Sequence, residues 1–405
     1  MHAWKIYLPV NLDLERLALD SSEPTWARPL RLEKLEALVS FLVTQGWRRD
    51  IGADDDAIPL HSKTLEALLG SRYSSDALRL LTRWGVIERS AIRYKPGERC
   101  DSYRLREPYA SALPVAKEIA GSRLPGRLRK LRERQTRECV GSDPVRLHYR
   151  DTLGRVALAP VPTSVYPSDP KARVVWAHHV ESLQSGERWI SASANTGRVF
   201  HDVVVMPREL RAFLSIDRES VDEVDKANAQ PFLMLAYYPP GEPERKQFCD
   251  VVCRGHFYPM LRHVAEHYGF EPRASSWDDD TLKRKVAAAL FDRNRDEPSP
   301  MRKALRHLFP YLADELTLRR AGDHRRLARD LQSRESELFQ RRIAPRIIRE
   351  LPDCPFLTIH DGILCKARFA PQVRRFVEEE TVKVYGVRPL VRLKSEKAQS
   401  VPKAA

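Results

Sequence analysis

The sequence predicts an α+β protein in which helices outnumber short strands. Apolar residues recur at helical spacing in several segments, as in 30–47. Apolar runs bounded by turn residues, as in 356–366, are instead typical of short strands. With 405 residues, the chain has the length of two to three domains and enough sequence to bury a sizeable core.

The composition narrows the class of protein. The chain has 69 Lys and Arg against 55 Asp and Glu, a formal net charge of +14, and this excess favours a polyanionic partner such as nucleic acid. No stretch approaches the roughly 18 apolar residues of a membrane span, and the first residues lack the pattern of a signal peptide. We therefore expect a cytoplasmic protein without a membrane partner.

Residues 58–108 follow the order helix, turn, helix, strand, loop, strand, which is the order of a winged helix. Gly70 ends the first predicted helix and Gly85 the second. The sequence predicts nucleic-acid contact by the loop and its second strand; the alternative is a module that only packs against its neighbour. The basic residues there are Arg93, Lys95, Arg99 and Arg104.

A second basic segment, residues 123–137, holds seven Lys or Arg and one acidic residue. Such a segment either follows nucleic-acid phosphates, with Arg127 and Lys130 among the contacts, or is a solvated helix face. Residues 159–170 are rich in proline and predict a linker to the C-terminal half.

Two aspartates in that half each stand at the end of a short apolar strand. Asp225 precedes a strongly apolar helix, and Asp361 lies at the tip of a predicted hairpin, residues 356–366. Two such carboxylates can bind paired divalent ions about 3.5–4 Å apart, and Mg²⁺ suits them because it takes few protein oxygens. Taken singly, Asp225 could instead cap the following helix, and Asp361-Gly362 could be a plain turn.

The order of motifs in residues 190–395 resembles the palm-and-fingers core of the DNA polymerase I family (family A), and more distantly the single-subunit phage-type RNA polymerases. In that family a T-G-R element and an R..F segment precede the first catalytic aspartate. A fingers helix with a lysine and an aromatic residue eight positions later follows, and then a His-Asp hairpin. The matching segments are Thr196-Gly197-Arg198, Arg211-Ala212-Phe213, Asp225, Lys283 with Phe291, and His360-Asp361.

The resemblance implies a role for each matched residue. Asp225 and Asp361 would be the catalytic aspartates that bind Mg²⁺ or Mn²⁺, and His360 would support the primer end. Arg198 would touch the minor groove of the primer–template. The residues implied at the incoming nucleotide are Lys283, Arg284, Lys285, Phe291 and Gln230.

Departures from the family pattern leave alternatives open. The family has a glutamine three residues after the first aspartate, whereas here Gln230 follows Asp225 by five. Asp222 and Asp217 are therefore alternative metal ligands. Lys285 is an alternative triphosphate lysine, since the fingers helix lacks the family's arginine ahead of Lys283. The chain also has no room for a full proofreading exonuclease domain.

The predicted function is metal-dependent addition of nucleotides to a 3′-OH end, in DNA-directed DNA synthesis, with primer–template DNA and nucleoside triphosphates as partners. The alternatives are RNA synthesis, template-independent transfer, and a replication or regulatory DNA-binding protein that has lost catalysis. A loading protein is neither indicated nor excluded. The expected regions are a winged-helix domain (1–110), a thumb-like basic helical connector (111–171), a palm and fingers core (172–393) and a disordered tail (394–405).

Overall fold

The computed structural model describes residues 4–47, 57–90, 100–119, 124–186, 188–294 and 296–399. The chain divides into two compact units. The first comprises residues 1–138, 160–189 and 205–210, and the second comprises 139–159, 190–204 and 211–405. Both mix helices with antiparallel strands. None of the described helices combines the length and the apolar character needed to cross a membrane.

The elements of the first unit are mostly short. Its strands are β1 (Trp4–Pro9), β2 (Ile58–Pro59), β3 (Ile87–Arg89), β4 (Ser102–Leu105) and β5 (Pro114–Ile119). Its helices are α1 (Leu14–Asp20), α2 (Pro29–Gly46), α3 (Ser62–Leu69), α4 (Ser74–Arg83), α5 (Leu124–Val140), which runs past the boundary at residue 138, and α7 (Pro170–Gln184).

Two sheets organise this unit: β1 pairs with β5, and β2, β4 and β3 form a three-stranded sheet in that order. The apolar faces of α2, α3 and α4 pack into one core that includes Leu38, Leu69 and Leu80. Gly70 and Gly85 follow α3 and α4 with φ of +86° and +71°, a region that favours glycine, so both predicted helix ends are confirmed. The predicted basic loop, with Arg93, Lys95 and Arg99, lies outside the described residues.

The second unit contains the remaining elements. Its strands are β6 (Val156–Leu158), β7 (Ile190–Ala192), β8 (Val199–His201), β9 (Leu214–Ile216), β10 (Glu219–Lys226), β11 (Phe356–Ile359), β12 (Gly362–Lys366) and β13 (Val391–Leu393). Its helices are α6 (Pro144–Arg155), α8 (Asp202–Val205), α9 (Ala229–Leu233), α10 (Glu244–Cys253), α11 (Phe257–His267), α12 (Asp279–Phe291), α13 (Pro300–Leu308), α14 (Pro310–Arg320), α15 (Arg325–Leu338), α16 (Ala344–Glu350), α17 (Ala370–Tyr385) and α18 (Lys394–Gln399).

A six-stranded antiparallel sheet forms the centre of the second unit. The strand order is β11–β12–β10–β9–β6, and β13 pairs with β10 as well. The carboxyl half of β10 therefore has a partner on each side, because β12 pairs with Val221–Asp225 and β13 with Val224–Lys226. Strands β11 and β12 are buried along their whole length, which explains why their sequence is a nearly continuous apolar run.

Aromatic side chains fill the helical part of this unit. Phe248 makes edge-on contacts with Phe257 and Phe309, with ring centroids 5.9 Å and 5.0 Å apart. Helix α12 ends against buried Arg320, which donates to the carbonyl oxygens of Ala289 (3.0 Å) and Leu290 (2.7 Å). The guanidinium thus satisfies carbonyls that the end of a helix leaves without partners.

Two predicted regions differ in the structure. The connector (111–171) is not a region of its own: β5 pairs with β1 in the first unit, and residues 139–159 belong to the second unit. The predicted disordered tail begins with helix α18, because Asp222 accepts from the amide (3.2 Å) and hydroxyl (2.5 Å) of Ser395. Residues 400–405 lie outside the described part of the chain.

We expect Arg320→Met to lower the free energy of unfolding by about 2 kcal/mol, because it leaves the carbonyl of Leu290 at the end of α12 without its donor, while that of Ala289 keeps a bond from Arg302 (2.9 Å). Thermal and urea unfolding followed by circular dichroism would measure the loss. Arg326→Met, which removes an exposed arginine, is the matched control and should change stability little. Equal unfolding midpoints for the two variants would contradict this role of Arg320.

Candidate catalytic site

Asp225 and Asp361 come together because their strands are neighbours. Asp225 lies near the end of β10, and its partner across the sheet is Gly362, the residue next to Asp361. Opposed residues in an antiparallel pair have Cα atoms about 4.5–5.5 Å apart. The position at which Asp225 would cap α9 is occupied by Asn228, so the capping alternative for Asp225 is excluded.

The turn between β11 and β12 has a backbone that the sequence pattern did not reveal. His360 adopts a left-handed conformation, with φ of +53°. Gly362 follows at the start of β12. A Cβ at this position would lie 3.0 Å from the carbonyl oxygen of Val224, a tight contact, so the close approach of β10 favours glycine here.

Carboxylates crowd around Asp361. Burial, and then the carboxylates of Glu335 and Asp225, raise the pKa of Asp361 to about 7. Lys226 opposes the shift without cancelling it. The site therefore has an excess of negative charge, which adds to the effect of burial on Asp361.

Glu335 of α15 is a residue that the sequence analysis missed. Its side chain is only 3% exposed, and its two oxygens accept from Arg198 Nε (2.9 Å) and Nη2 (2.7 Å). Arg198 therefore has a buried partner within the protein, and its contact with a nucleic acid stays a prediction. Gly197, with φ of +70°, lets the preceding turn approach Ser336, the neighbour of Glu335.

Lys226 is the second residue that was missed. It directly follows Asp225, is 2% exposed, and its ammonium group has no hydrogen-bond partner among the described residues. Its Nζ lies 4.8 Å from the ring centroid of Phe232 and 5.9 Å from that of Phe339. Burial lowers its pKa to about 8, while Asp361 and Glu335 act in the opposite direction. The buried ammonium group of Lys226 thus offsets part of the negative charge around Asp361.

Hydrogen bonds to Thr358 on β11 hold the Asp361 hairpin in place. Tyr149 donates to Gln340 Oε1 (2.8 Å), and Gln340 Nε2 donates to Thr358 Oγ1 (2.7 Å) on β11. The ring of His201 lies 3.1 Å from the carbonyl oxygen of Thr358. His360 itself is half-buried against Phe200, and burial lowers its pKa to about 4, so its imidazole is neutral at pH 7.

The alternative ligands have other partners. Asp222 caps α18 through Ser395, as described above. Asp217 accepts from Arg155 and pairs with Lys366 at 2.7 Å, and these partners hold the pKa of Asp217 well below its usual range. Neither residue is among the main causes of the raised pKa of Asp361, whereas Asp225 is. Their contacts therefore favour Asp225 as the partner of Asp361.

Helix α12 carries the residues predicted to bind the nucleotide. Asp278 caps its first turn by accepting from the amide of Thr281 (2.7 Å), and Leu282, Val286 and Leu290 form its buried face. The remaining faces leave three cations exposed and one aromatic ring half-buried: Lys283, Arg284, Lys285 and Phe291. Half-buried Gln230 lies in α9. Their roles at the nucleotide stay predictions.

A cleft of about 790 Å³ is lined in part by residues that are next to Arg198 and Glu335 in the sequence, among them Gly197 and Ser336. It is lined by residues 192–197, by Ser333 and Ser336 of α15 with Gln340 of the helical turn that follows, and by a third group, Cys139, Asp143, Val145 and Arg146. The buried hydroxyl of Ser336 has no hydrogen-bond partner in the described part of the chain. The cleft therefore offers polar groups to a ligand that enters it.

The residues fit a divalent ion of the Mg²⁺ type. The described residues contain no group of three or more His, Cys, Asp or Glu side chains placed to hold a metal. Mg²⁺ is commonly bound by one or two carboxylates, and water and substrate phosphates complete its ligands. Asp225 and Asp361 supply such a pair, and a cation beside Asp361 would relieve the repulsion from Glu335 and Asp225 that contributes to its raised pKa.

Of the basic residues predicted to contact nucleic acid in the first unit, the structure describes Arg104, Arg127 and Lys130. Arg127 on α5 is exposed and donates to the carbonyl oxygens of Ala67 (3.2 Å) and Glu66 (3.4 Å) at the end of α3. Lys130 is exposed one turn further on. Arg104 on β4 pairs with Glu88 at 2.5 Å. Arg127 thus has a structural contact, whereas Lys130 remains available to a phosphate.

Comparison with known proteins gives a similarity in structure but none in sequence. No protein-family model and no curated protein matches the chain. Among solved structures, the chain is similar to the POL domain of Pol1 from M. smegmatis in complex with DNA primer-template and dNTP, at 11% identity and a TM-score of 0.30. The match covers 66% of this chain and 65% of that domain, just under two thirds of its length. At this TM-score the function must be argued from the site.

We expect Asp361→Asn to stabilise the fold at pH 8, on the order of 1 kcal/mol. Because the folded pKa of Asp361 is raised, its ionisation above pH 4 favours the unfolded chain. The gain should thus shrink as the pH falls from 7 towards 4. Urea unfolding in a chelator-containing buffer at several pH values would measure it. Asp353→Asn, at an exposed aspartate, is the control; the same pH profile in both variants would contradict the prediction.

Proposed function

We propose that the chain is a metal-dependent nucleotidyltransferase that adds nucleotides to a 3′-OH end, in DNA-directed DNA synthesis. The observation that carries the proposal is the pair of aspartates, Asp225 and Asp361, on neighbouring strands in a centre with excess negative charge. Bound divalent ions would supply there an activated hydroxyl and charge stabilisation for the leaving pyrophosphate.

The other residues of the centre hold and orient these groups. Glu335 fixes Arg198 beside the cleft, and the cleft would receive the primer strand, whose sugar and phosphate oxygens suit the hydroxyl of Ser336. Neutral His360, fixed at the turn, would support the primer end. On α12, Lys283 with Arg284 or Lys285 would neutralise the triphosphate, and Phe291 and Gln230 would bound the nucleotide pocket.

The first unit would hold the nucleic acid. The order β2, α3, α4, β3, β4 and the sheet order β2–β4–β3 support a winged helix, whose loop carries Arg93 and Lys95. Helix α5 would add phosphate contacts that do not depend on base sequence. We extend the proposal to this unit as the part of the chain that binds DNA.

One observation favours a second candidate function. The buried ammonium of Lys226 already offsets part of the negative charge around Asp361, and a divalent ion would have to bind beside it. A centre neutralised in this way is compatible with a DNA-binding replication or regulatory protein that does not catalyse.

Primer extension tests the two candidates. The full chain is incubated with a labelled primer–template and Mg²⁺ or Mn²⁺, with dNTPs and NTPs offered separately. We expect template-matched extension with dNTPs, lost by at least about a hundredfold in Asp225→Asn and Asp361→Asn and retained in Asp353→Asn. Tight DNA binding with no product under any condition would overturn the proposal in favour of the binding protein.

Exposed charges on α5 give a separate prediction for binding. Removing Lys130, Arg134 and Arg137 together should weaken duplex binding whatever its sequence, and reduce the slope of log K against log salt by up to about 3. Fluorescence anisotropy at several salt concentrations would measure the slope. Arg127 is left in place because it caps α3, and Arg326→Met serves as control. An unchanged slope in the triple variant would argue for a solvated helix face.

A further inference from the structure

Five aromatic rings from α11, α13 and the turn after α11 form a continuous patch on the second unit, here called the ring patch. Tyr268 is at its centre: its ring centroid lies 4.0 Å from that of His307, 5.0 Å from that of His267 and 6.1 Å from that of Phe270. His263 extends the patch, stacked on His267 at 5.7 Å.

The ring patch is on the surface rather than in the core. Tyr268 is 51% exposed, its three histidine neighbours are exposed, and Phe270 is half-buried. Exposed rings in contact with each other offer flat faces and edges to a ligand. The patch consists of rings rather than of the aliphatic side chains that are common in protein–protein interfaces. The chemistry of the patch is therefore that of a stacking surface.

Charge and metal chemistry narrow the choice of ligand. The two segments that carry the rings, residues 257–273 and 300–308, contain five Lys or Arg and two Glu. Two of these cations pair with acids outside the segments, Lys303 with Glu297 (3.3 Å) and Arg306 with Asp314 (2.6 Å), which leaves a net charge of +1. His263 and His267 are four residues apart on one helix, but the described residues contain no third side chain placed to complete a metal site. A planar, anionic ligand fits these properties better than a cation does.

We propose that the ring patch binds unpaired bases of single-stranded nucleic acid by stacking. Every base has a π-face, and exposed aromatic side chains beside basic ones are the usual means of binding single strands without sequence preference. Because this binding requires neither Asp225 nor Asp361, it goes beyond the proposed catalytic function and is independent of it.

The test uses the full chain and a 12-nucleotide single strand containing 2-aminopurine, whose fluorescence falls when it stacks. An excess of an abasic strand of equal length occupies the phosphate-binding sites. We expect Tyr268→Ala and His307→Ala to weaken the quenching interaction about tenfold, Tyr268→Trp to retain it, and the salt dependence to stay unchanged. Leu318→Ala, at an exposed residue, is the matched control, and circular dichroism verifies folding.

The outcomes separate this proposal from the catalytic one. Asp361→Asn should bind the strand as the wild type does, even if primer extension fails. Wild-type quenching in both Tyr268→Ala and His307→Ala would overturn the stacking proposal. So would an equal loss of affinity for the abasic strand in a direct titration, since that result would assign the patch to phosphate binding.

Discussion

Repulsion among carboxylates is the constraint around which the second unit is arranged. Asp225, Asp361 and Glu335 interact electrostatically in a region from which water is partly excluded, and the raised pKa of Asp361 shows that its ionisation there is costly. Arg198 and Lys226 reduce this cost, but only Arg198 does so through direct hydrogen bonds. The bidentate pair of Arg198 with Glu335 also ties the turn at residues 193–198 to α15, so charge compensation and local geometry depend on the same two side chains.

The parts of the site that could be predicted from sequence are those with a local signal. The hairpin at 356–366 was predictable because its strands are apolar on both faces and its turn contains His360-Asp361-Gly362. A strand that ends near Asp225 was also predicted, and the structure confirms both elements, but β10 is eight residues of mostly polar sequence rather than a short apolar run. That the two are neighbours was not derivable from spacing alone and came from the resemblance to a family.

Other features had no local signal. Glu335 lies in a strongly charged helix whose sequence predicts exposure to solvent. Only the fold brings it to Arg198, which is 137 residues earlier in the chain. The predicted boundaries missed the exchange of segments between the units, since a strand such as β5 pairs with β1 across more than a hundred residues. The predicted tail was assigned from composition, which gave no sign that Asp222 would cap a helix there.

Strand β13 has a consequence for how the protein can be handled. It supplies the second set of backbone partners for Val224–Lys226, the stretch that carries Asp225, and α18 follows it directly. Shortening the chain at Gly386 would turn this stretch of β10 into an open edge, exposing unpaired amides and carbonyls to other strands. Any shortened form of the protein should therefore keep β13 and α18, so that this border of the central sheet stays closed.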